Sequence, residues 1–312
     1  MEEVIKTVNL HKWFGSTHAV EDVNLSVRVG EIFGFLGLNG AGKTTTIRML
    51  LGMVTPTQGQ CYLFGKPVSP GATNLWAEVG YIVETPYSYP ELTVRENLGI
   101  VRRLRGMGDS KCVDWIMEKL KLTEYAHRKA RHLSLGNAQR LGIAKALIHR
   151  PKVLILDEPT NGLDPAGIVE VRKLLLELAE EGVTILISSH KLDEIARVAT
   201  TIGIIHAGKL IKTIDGIRLK EQVKKWLVLD GRERQGMLSV LAQAGYQVDL
   251  GPGDGGRGPL LITDPRAVQS PDEVATLLVN AKVPPTLLQV VEEDLEAFFL
   301  RTIEEAGGKV DE

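Results

Sequence analysis

Residues 153 to 164 read VLILDEPTNGLD, so two adjacent carboxylates, Asp157 and Glu158, close a run of four apolar residues. Val153, Leu154, Ile155 and Leu156 lack the alternation of a half-exposed strand, and the segment predicts a strand buried on both faces of a parallel sheet. Neighbouring acids at the end of such a strand repel each other, and burial disfavours their charged forms. The pair therefore calls for a cation or a polarised water. A second segment, FGFLGLNGAGKTTTIRML, sets an apolar strand, a glycine loop and an amphipathic helix around Gly37, Gly40, Gly42, Lys43 and Thr44. It fits G-x-x-x-x-G-K-[ST] in the context that motif requires. Glycines let the loop amides turn inward and the helix start adds the positive end of its dipole, so several N–H groups converge on a polyphosphate. Lys43 reaches the β- and γ-phosphates and the Thr44 hydroxyl ligates Mg²⁺. Asp157 holds the same ion, mainly through water, because Mg²⁺ keeps much of its hydration shell. Glu158 polarises the water that attacks the γ-phosphate. Reading the acids as helix caps or a solvated strand end leaves the apolar run before them unexplained.

The elements that must position these groups follow from the pattern of the rest of the chain. Through the first two thirds, short apolar runs alternate with helical patterns, from EIFGFLG and KTTTIRMLLGM to VTILISS and KLDEIARVA, which predicts α/β layering with a largely parallel sheet. Near residue 215 the rhythm changes. KWLVLD, RQGMLSVLAQAG, YQVDL, LLIT, SPDEVATLLVNA, TLLQVV and DLEAFFLRTI predict a βαββαβ order followed by a helix, a small α+β domain of ferredoxin-like kind. The glycine-rich stretch from Gly251 to Pro259 predicts a mobile hairpin connection. The 312 residues suffice for one large domain and a smaller one. With 37 Lys and Arg against 39 Asp and Glu, no basic field exists to wrap nucleic acid. Cys61 and Cys112, the only cysteines, show no CxxC spacing, and no signal-like start follows MEEVIK, which suits a reducing cytosol. No apolar run approaches the roughly 20 residues of a membrane span, so the chain is not expected to insert directly into a membrane.

From residue 1 to about 225 the chain resembles the nucleotide-binding subunit of an ABC transporter, with every expected motif in order. LSLGNAQRLGIAKAL at 133 to 147 is similar to the family signature LSGGQ, keeping Ser134 and Gly136 but carrying Leu135 and Asn137 where the family has glycine and glutamine. A serine hydroxyl, a glycine amide and a helix start make another anion site. Alone, this stretch reads more simply as an ordinary capped helix start with Ser134 as the cap; beside the glycine loop and the acid pair it reads as the signature.

The resemblance implies an ABC cassette: a mainly parallel P-loop sheet, an antiparallel N-terminal subdomain and a helical lobe at about 85–145, all within an ATP-binding domain at 1–220. An accessory α+β domain at 221–312 resembles those appended to cassettes that work with ABC-2-type permeases. It further implies ATP and Mg²⁺ as ligands and ATP hydrolysis as the activity. Two ATP molecules would lie between two cassettes of a homodimer or heterodimer, each signature facing the other chain's γ-phosphate. A separate membrane permease would hold the assembly peripherally on the cytoplasmic face of the cell membrane.

Residue by residue, the resemblance assigns Asn39, Gly40, Ala41, Gly42, Lys43, Thr44 and Thr45 to the phosphates, with Ser134, Gly136 and Asp164 completing the opposite site. Val20 and Phe14 would contact the base, although Trp13 is an alternative stacker. His190, ending TILISSH, matches the switch histidine that holds the attacking water with Glu158. Glu84 in VGYIVETP stands where most members have a glutamine that touches Mg²⁺. A carboxylate there would hold the ion more strongly and make the site sensitive to protonation. This glutamate and YSYPELTVRENL resemble bacitracin- and lantibiotic-type cassettes, which favours peptide-antibiotic or drug export. Tyr87, Tyr89 and Leu92 are candidate permease contacts. A soluble ABC ATPase without a transport role is the alternative. Repair and chromosome-organising members carry long coiled coils, whereas about 90 residues separate the two phosphate motifs here.

Overall fold

The computed structural model describes residues 2–69, 73–84, 87–251 and 258–308. Most of the connection expected between Gly251 and Pro259 lies outside the described residues. Two compact units emerge: one up to Leu219 and again from Thr302, the other Lys220–Arg301. The return at Thr302 falls inside the last helix, Leu295–Glu305, which a domain boundary drawn at 221 did not anticipate.

In the larger unit, six strands lie in the order Lys209–Asp215, Thr201–His206, Ile32–Leu36, Thr184–Ser189, Val153–Asp157, Val79–Ile82. All neighbours are parallel except the hairpin at Thr201–His206 and Lys209–Asp215. Every residue of Ile32–Leu36, Val153–Asp157 and Thr184–Ser189 is buried. Helices cover such strands on both faces, which explains why their sequences lack alternation. Their carboxyl ends stop side by side, with Asp157 opposite Ser188 and Leu36 opposite Ser189, and that is the end of a parallel sheet where ligands bind.

A five-stranded antiparallel sheet is built on Glu3–Phe14, which pairs with Thr17–Val23, Ser26–Arg28 and Gln58–Leu63; Lys66–Pro67 extends it. One core joins both sheets. Leu10, Val20, Val27 and Leu63 from the antiparallel strands cluster with Phe33, Phe35, Val153 and Leu186 from the parallel ones, around Ile47 and Leu50 of the intervening helix. Each such side chain contributes about 1.5–3 kcal/mol on burial.

Between Val79–Ile82 and Val153–Asp157 the chain is mainly helical: Val94–Leu104, Lys111–Lys119 and Leu135–Leu147, with short turns at Thr123–Tyr125 and Ala130–His132. Thr93 and Glu96 form a reciprocal capping box at the first of these, a feature that contributes about 1 kcal/mol.

The smaller unit is antiparallel throughout, in the order Asp249–Leu250, Leu260–Ile262, Lys225–Asp230, Leu287–Glu292. The helices Arg234–Gln243 and Pro271–Asn280 contribute Met237, Leu241, Val274 and Leu278 to its core against Leu227, Leu229, Leu260 and Ile262. The order βαββαβ with the first strand central is the ferredoxin-like arrangement.

Candidate active site

The glycine loop ends in a helix, Lys43–Leu50, whose start is left open. Its N-terminal residue, Gly42, sits at φ +106° and offers no side-chain cap, and the first turn holds no acid. A Cβ on Gly42 would lie 2.7 Å from the Ala19 carbonyl oxygen, so only glycine fits both the angle and the space. An uncapped helix start with its dipole unmet is an anion site.

Six side chains close around the strand ends. Thr44 Oγ1 donates to Asp157 Oδ2 at 2.8 Å, and Ser188 Oγ donates to Asp157 Oδ1 at 2.5 Å. The same Ser188 hydroxyl accepts from the Glu158 N–H at 3.0 Å. His190 Nδ1 lies 2.9 Å from Glu158 Oε2; a carboxylate can only accept, so the ring proton sits on Nδ1. Lys43, 5 % exposed, donates to the carbonyls of Gly37 at 2.6 Å and Leu38 at 3.2 Å. Its ammonium is also 3.3 Å from Glu158 Oε1, an ion-pair distance without the angles of a hydrogen bond, which leaves that buried oxygen without a hydrogen-bond partner. Glu158 adopts φ +48°, uncommon for a residue with a side chain.

Asp157 is 2 % exposed, and among the described residues its partners are hydroxyls, with no cationic side chain paired to it. A buried carboxylate without a counter-charge, beside a threonine hydroxyl, is a set of hard oxygen donors suited to Mg²⁺.

A second helix start, the one that carries Ser134 and Gly136, faces outward. Ser134 caps Leu135–Leu147 by accepting from the Asn137 N–H at 3.3 Å. Leu135 is 56 % exposed. Its side chain crosses to the neighbouring loop, where a Cβ on Gly162, at φ +74°, would meet Leu135 Cδ2 at 2.7 Å. Asp164 lies exposed at the end of that loop and caps Pro165–Glu180, accepting from the Gly167 N–H at 3.0 Å. The signature turn and the Asp164 loop are thus packed together on one surface.

The sequence profile described as "ABC transporter" matches residues 20–161. A bacitracin transport ATP-binding protein (BcrA) of Bacillus licheniformis is 47 % identical over 228 residues, covering 73 % of this chain and 74 % of that protein. The protein of the same name from Enterococcus faecalis is 39 % identical over 308 residues, 98 % of each chain. This chain belongs to the ABC transporter ATP-binding family. A solved ATP-binding subunit of an ABC transporter superimposes with a TM-score of 0.63 at 28 % identity, over 74 % of this chain and 92 % of that chain. The cassette therefore binds adenine nucleotide and is an ATPase.

Within the cassette, Lys43, Thr44, Asp157, Glu158 and His190 come together, as their motifs led one to expect. Glu84 does not join them. It is exposed, at φ +58°, and accepts from Arg48 Nη2 at 2.5 Å. Val20 also differs from expectation: it is 0 % exposed, turned into the core from its strand, and presents no side-chain surface to a base. Trp13 stacks on His18 with ring centroids 3.8 Å apart, which occupies one of its faces. Phe14 is 51 % exposed, with the Lys12 ammonium 5.0 Å from its ring centroid. Ser188 and Arg48 were missed by sequence reasoning. For Ser188 a signal existed, since it is a polar residue ending an apolar strand just as Asp157 does.

Proposed function

We propose that the cassette powers a separate ABC-2-type membrane permease that exports a peptide antibiotic or drug, working as one of a pair of cassettes on the cytoplasmic face of the membrane. Support comes from the relatives that share its length and sequence, both bacitracin transport ATP-binding proteins. In this reading residues 1–220 form the ATP-binding domain and 221–312 an accessory domain. No helix among the described residues is long and apolar enough to cross a membrane, so transport needs a partner chain.

Hydrolysis is assigned to positioning and electrostatics, with no covalent intermediate. The amides of residues 39–45 and Lys43 grip the phosphates. Thr44 and Asp157 would hold Mg²⁺, with Glu84 reaching it only after parting from Arg48. The metal, when bound, neutralises charge building on the transferring phosphoryl oxygens. Glu158, held by His190 and Ser188, accepts a proton from the attacking water. Phe14 stacks on the base in preference to Trp13, whose ring is already paired. Ser134, Gly136 and Asp164, which face outward, complete the site of a second cassette. The observation that carries this mechanism is the linked set Thr44–Asp157–Ser188–Glu158–His190 at the sheet's carboxyl edge.

The permease seat is assigned to a groove of about 1060 Å³ between the phosphate-loop helix and the helical lobe, lined among others by Met53, Tyr81, Tyr87 and Leu104. Tyr87 and Leu104 are 74 % and 80 % exposed, an apolar rim suited to a helical partner. Tyr89 meets Tyr87 edge-on at 5.7 Å beside this rim, and Leu92 is half-buried behind it.

Replacing Glu158 by Gln in the native host tests the transport reading. Sensitivity to bacitracin is expected to rise with the variant present at normal abundance. Unchanged sensitivity to bacitracin and to lantibiotic peptides removes the peptide-export assignment.

A further inference from the structure

Lys145 lies half-buried on Leu135–Leu147, about 16 Å along that helix from Ser134. Its ammonium donates to the Tyr87 carbonyl at 2.8 Å, the Ser88 hydroxyl at 2.8 Å and Asn97 Oδ1 at 3.3 Å. An ammonium has three N–H donors and accepts nothing, so donors and acceptors match one for one. All the acceptors lie in or brace the segment that follows Glu84. Asn97, 1 % exposed, grips that segment from Val94–Leu104: its Oδ1 accepts from the Tyr89 N–H at 2.9 Å, while Nδ2 donates to the carbonyls of Tyr89, Leu92 and Thr93 at 3.1, 3.2 and 3.0 Å.

Among the described residues no carboxylate pairs with this ammonium. The titratable and charged groups that line the groove with Lys145 are Tyr81, Tyr87, Arg105, and Arg48 and Glu84, the last two already paired with each other. Loss of hydration pushes Lys145 down to about 8. A methionine of similar length would fill the space without placing an unpaired charge there, so packing alone does not account for a lysine. What a lysine adds is a three-way bond between a helix and a loop.

We propose that Lys145 is a positioning residue for ATP hydrolysis, locking the segment after Glu84 to the helix that carries Ser134 and Gly136 so that the two shift as one piece. The inference rests on hydrolysis at the site described above. The clamp is complete when the amine carries its proton. Deprotonation leaves two donors for three acceptors, so the link loosens as pH rises past about 8.

The test uses the full chain with Lys145→Met and Lys145→Arg, measuring ATPase rate against ATP concentration from pH 7 to 9.5, with a melting curve for each. The Met variant is expected to lower kcat about 10-fold while KM for ATP stays within about 2-fold, because the phosphate cradle is untouched. The Arg variant keeps its charge at every pH used, recovers much of kcat at pH 7, and loses the fall above pH 8 that the parent shows. A Met variant with the parent's kcat, or identical alkaline limbs in parent and Arg variant, overturns the proposal while leaving the ATPase assignment standing. If the Met variant does not fold, Ser88→Ala removes one acceptor with little packing change: a lower kcat with a normal melt supports the clamp, and an unchanged kcat overturns it.

Discussion

Two helix starts in this molecule have the composition of an anion site, and the structure treats them in opposite ways. At Gly42 the start is uncapped and enclosed, with Lys43, Thr44 and Asp157 packed around it. At Leu135 the start is capped by its own Ser134 and lies exposed, with the Leu135–Gly162 packing behind it. The first holds the means to grip a triphosphate and its metal. The second can offer a hydroxyl, an amide and a dipole, which is enough to complete a site built elsewhere but too little to make one alone. The contrast fits the proposed pairing of cassettes, in which an exposed helix start becomes useful when another molecule brings the anion.

The largest expected effect is on the enclosed side. Glu158→Gln keeps the ligands Thr44 and Asp157 but removes the proton acceptor, so hydrolysis is expected to fall about 10²–10⁴-fold with nucleotide binding retained. Its measurement is single-turnover hydrolysis beside equilibrium binding of ATP, and hydrolysis at the parent rate would end the base assignment. Ser134→Ala tests the exposed side. Hydrolysis should drop about 10²-fold if the hydroxyl meets a partner's phosphate. Loss of the cap should also cost about 1 kcal/mol, seen as a melting point lower by a few degrees. A melting change without a rate change would make the exposed start a simple cap and break the comparison.

Ser188→Ala should have a smaller effect, about 10-fold on kcat, with a higher Mg²⁺ concentration needed for half activity, because one hydroxyl orients both Asp157 and the Glu158 backbone. An unaltered Mg²⁺ titration would show that Thr44 alone orients Asp157. The smallest effect concerns Lys145, where function and stability pull apart. Its value is depressed from 10.5 to about 8 in the folded chain, so the unfolded chain binds more protons between those values. Stability from this group is therefore greatest above 10.5 and is lost as pH falls towards 8. At pH 7 Lys145→Met is expected to melt at or slightly above the parent's temperature, and a melting point several degrees lower would mean that the three hydrogen bonds outweigh the cost of burial.

The enclosed side was largely legible in the sequence because its motifs are contiguous: apolar strand, glycine loop and Lys-Thr in one segment, apolar strand and Asp-Glu in another. The capping role of Asp164 was not drawn from the sequence, although proline at the next position marks a helix start. What could not be read depends on which strand lies beside which. Ser188 reaches Asp157 only because Thr184–Ser189 is the neighbour of Val153–Asp157 in a register that sets the two residues opposite each other. Glu84 and Arg48 are 36 positions apart, and nothing local announces that they pair. The family resemblance made Val20 a contact to the base, but its strand turns it into the core shared by the two sheets. The order of strands in the smaller unit was readable from βαββαβ spacing, whereas the return of the chain to the larger unit at Thr302, mid-helix, had no sequence marker.

The closeness of Lys43 and Glu158, 3.3 Å apart, changes how one familiar kind of variant should be interpreted. Lys43 and Glu158 face each other as counter-ions, whereas the proposed mechanism asks the lysine to grip a phosphate and the acid to take a proton from water. Exchanging the lysine for alanine consequently leaves that acid with His190 alone as well as loosening a phosphate. Inactivity in that variant mixes a damaged resting form with a missing grip, and a nucleotide-free melting curve is the control that separates them.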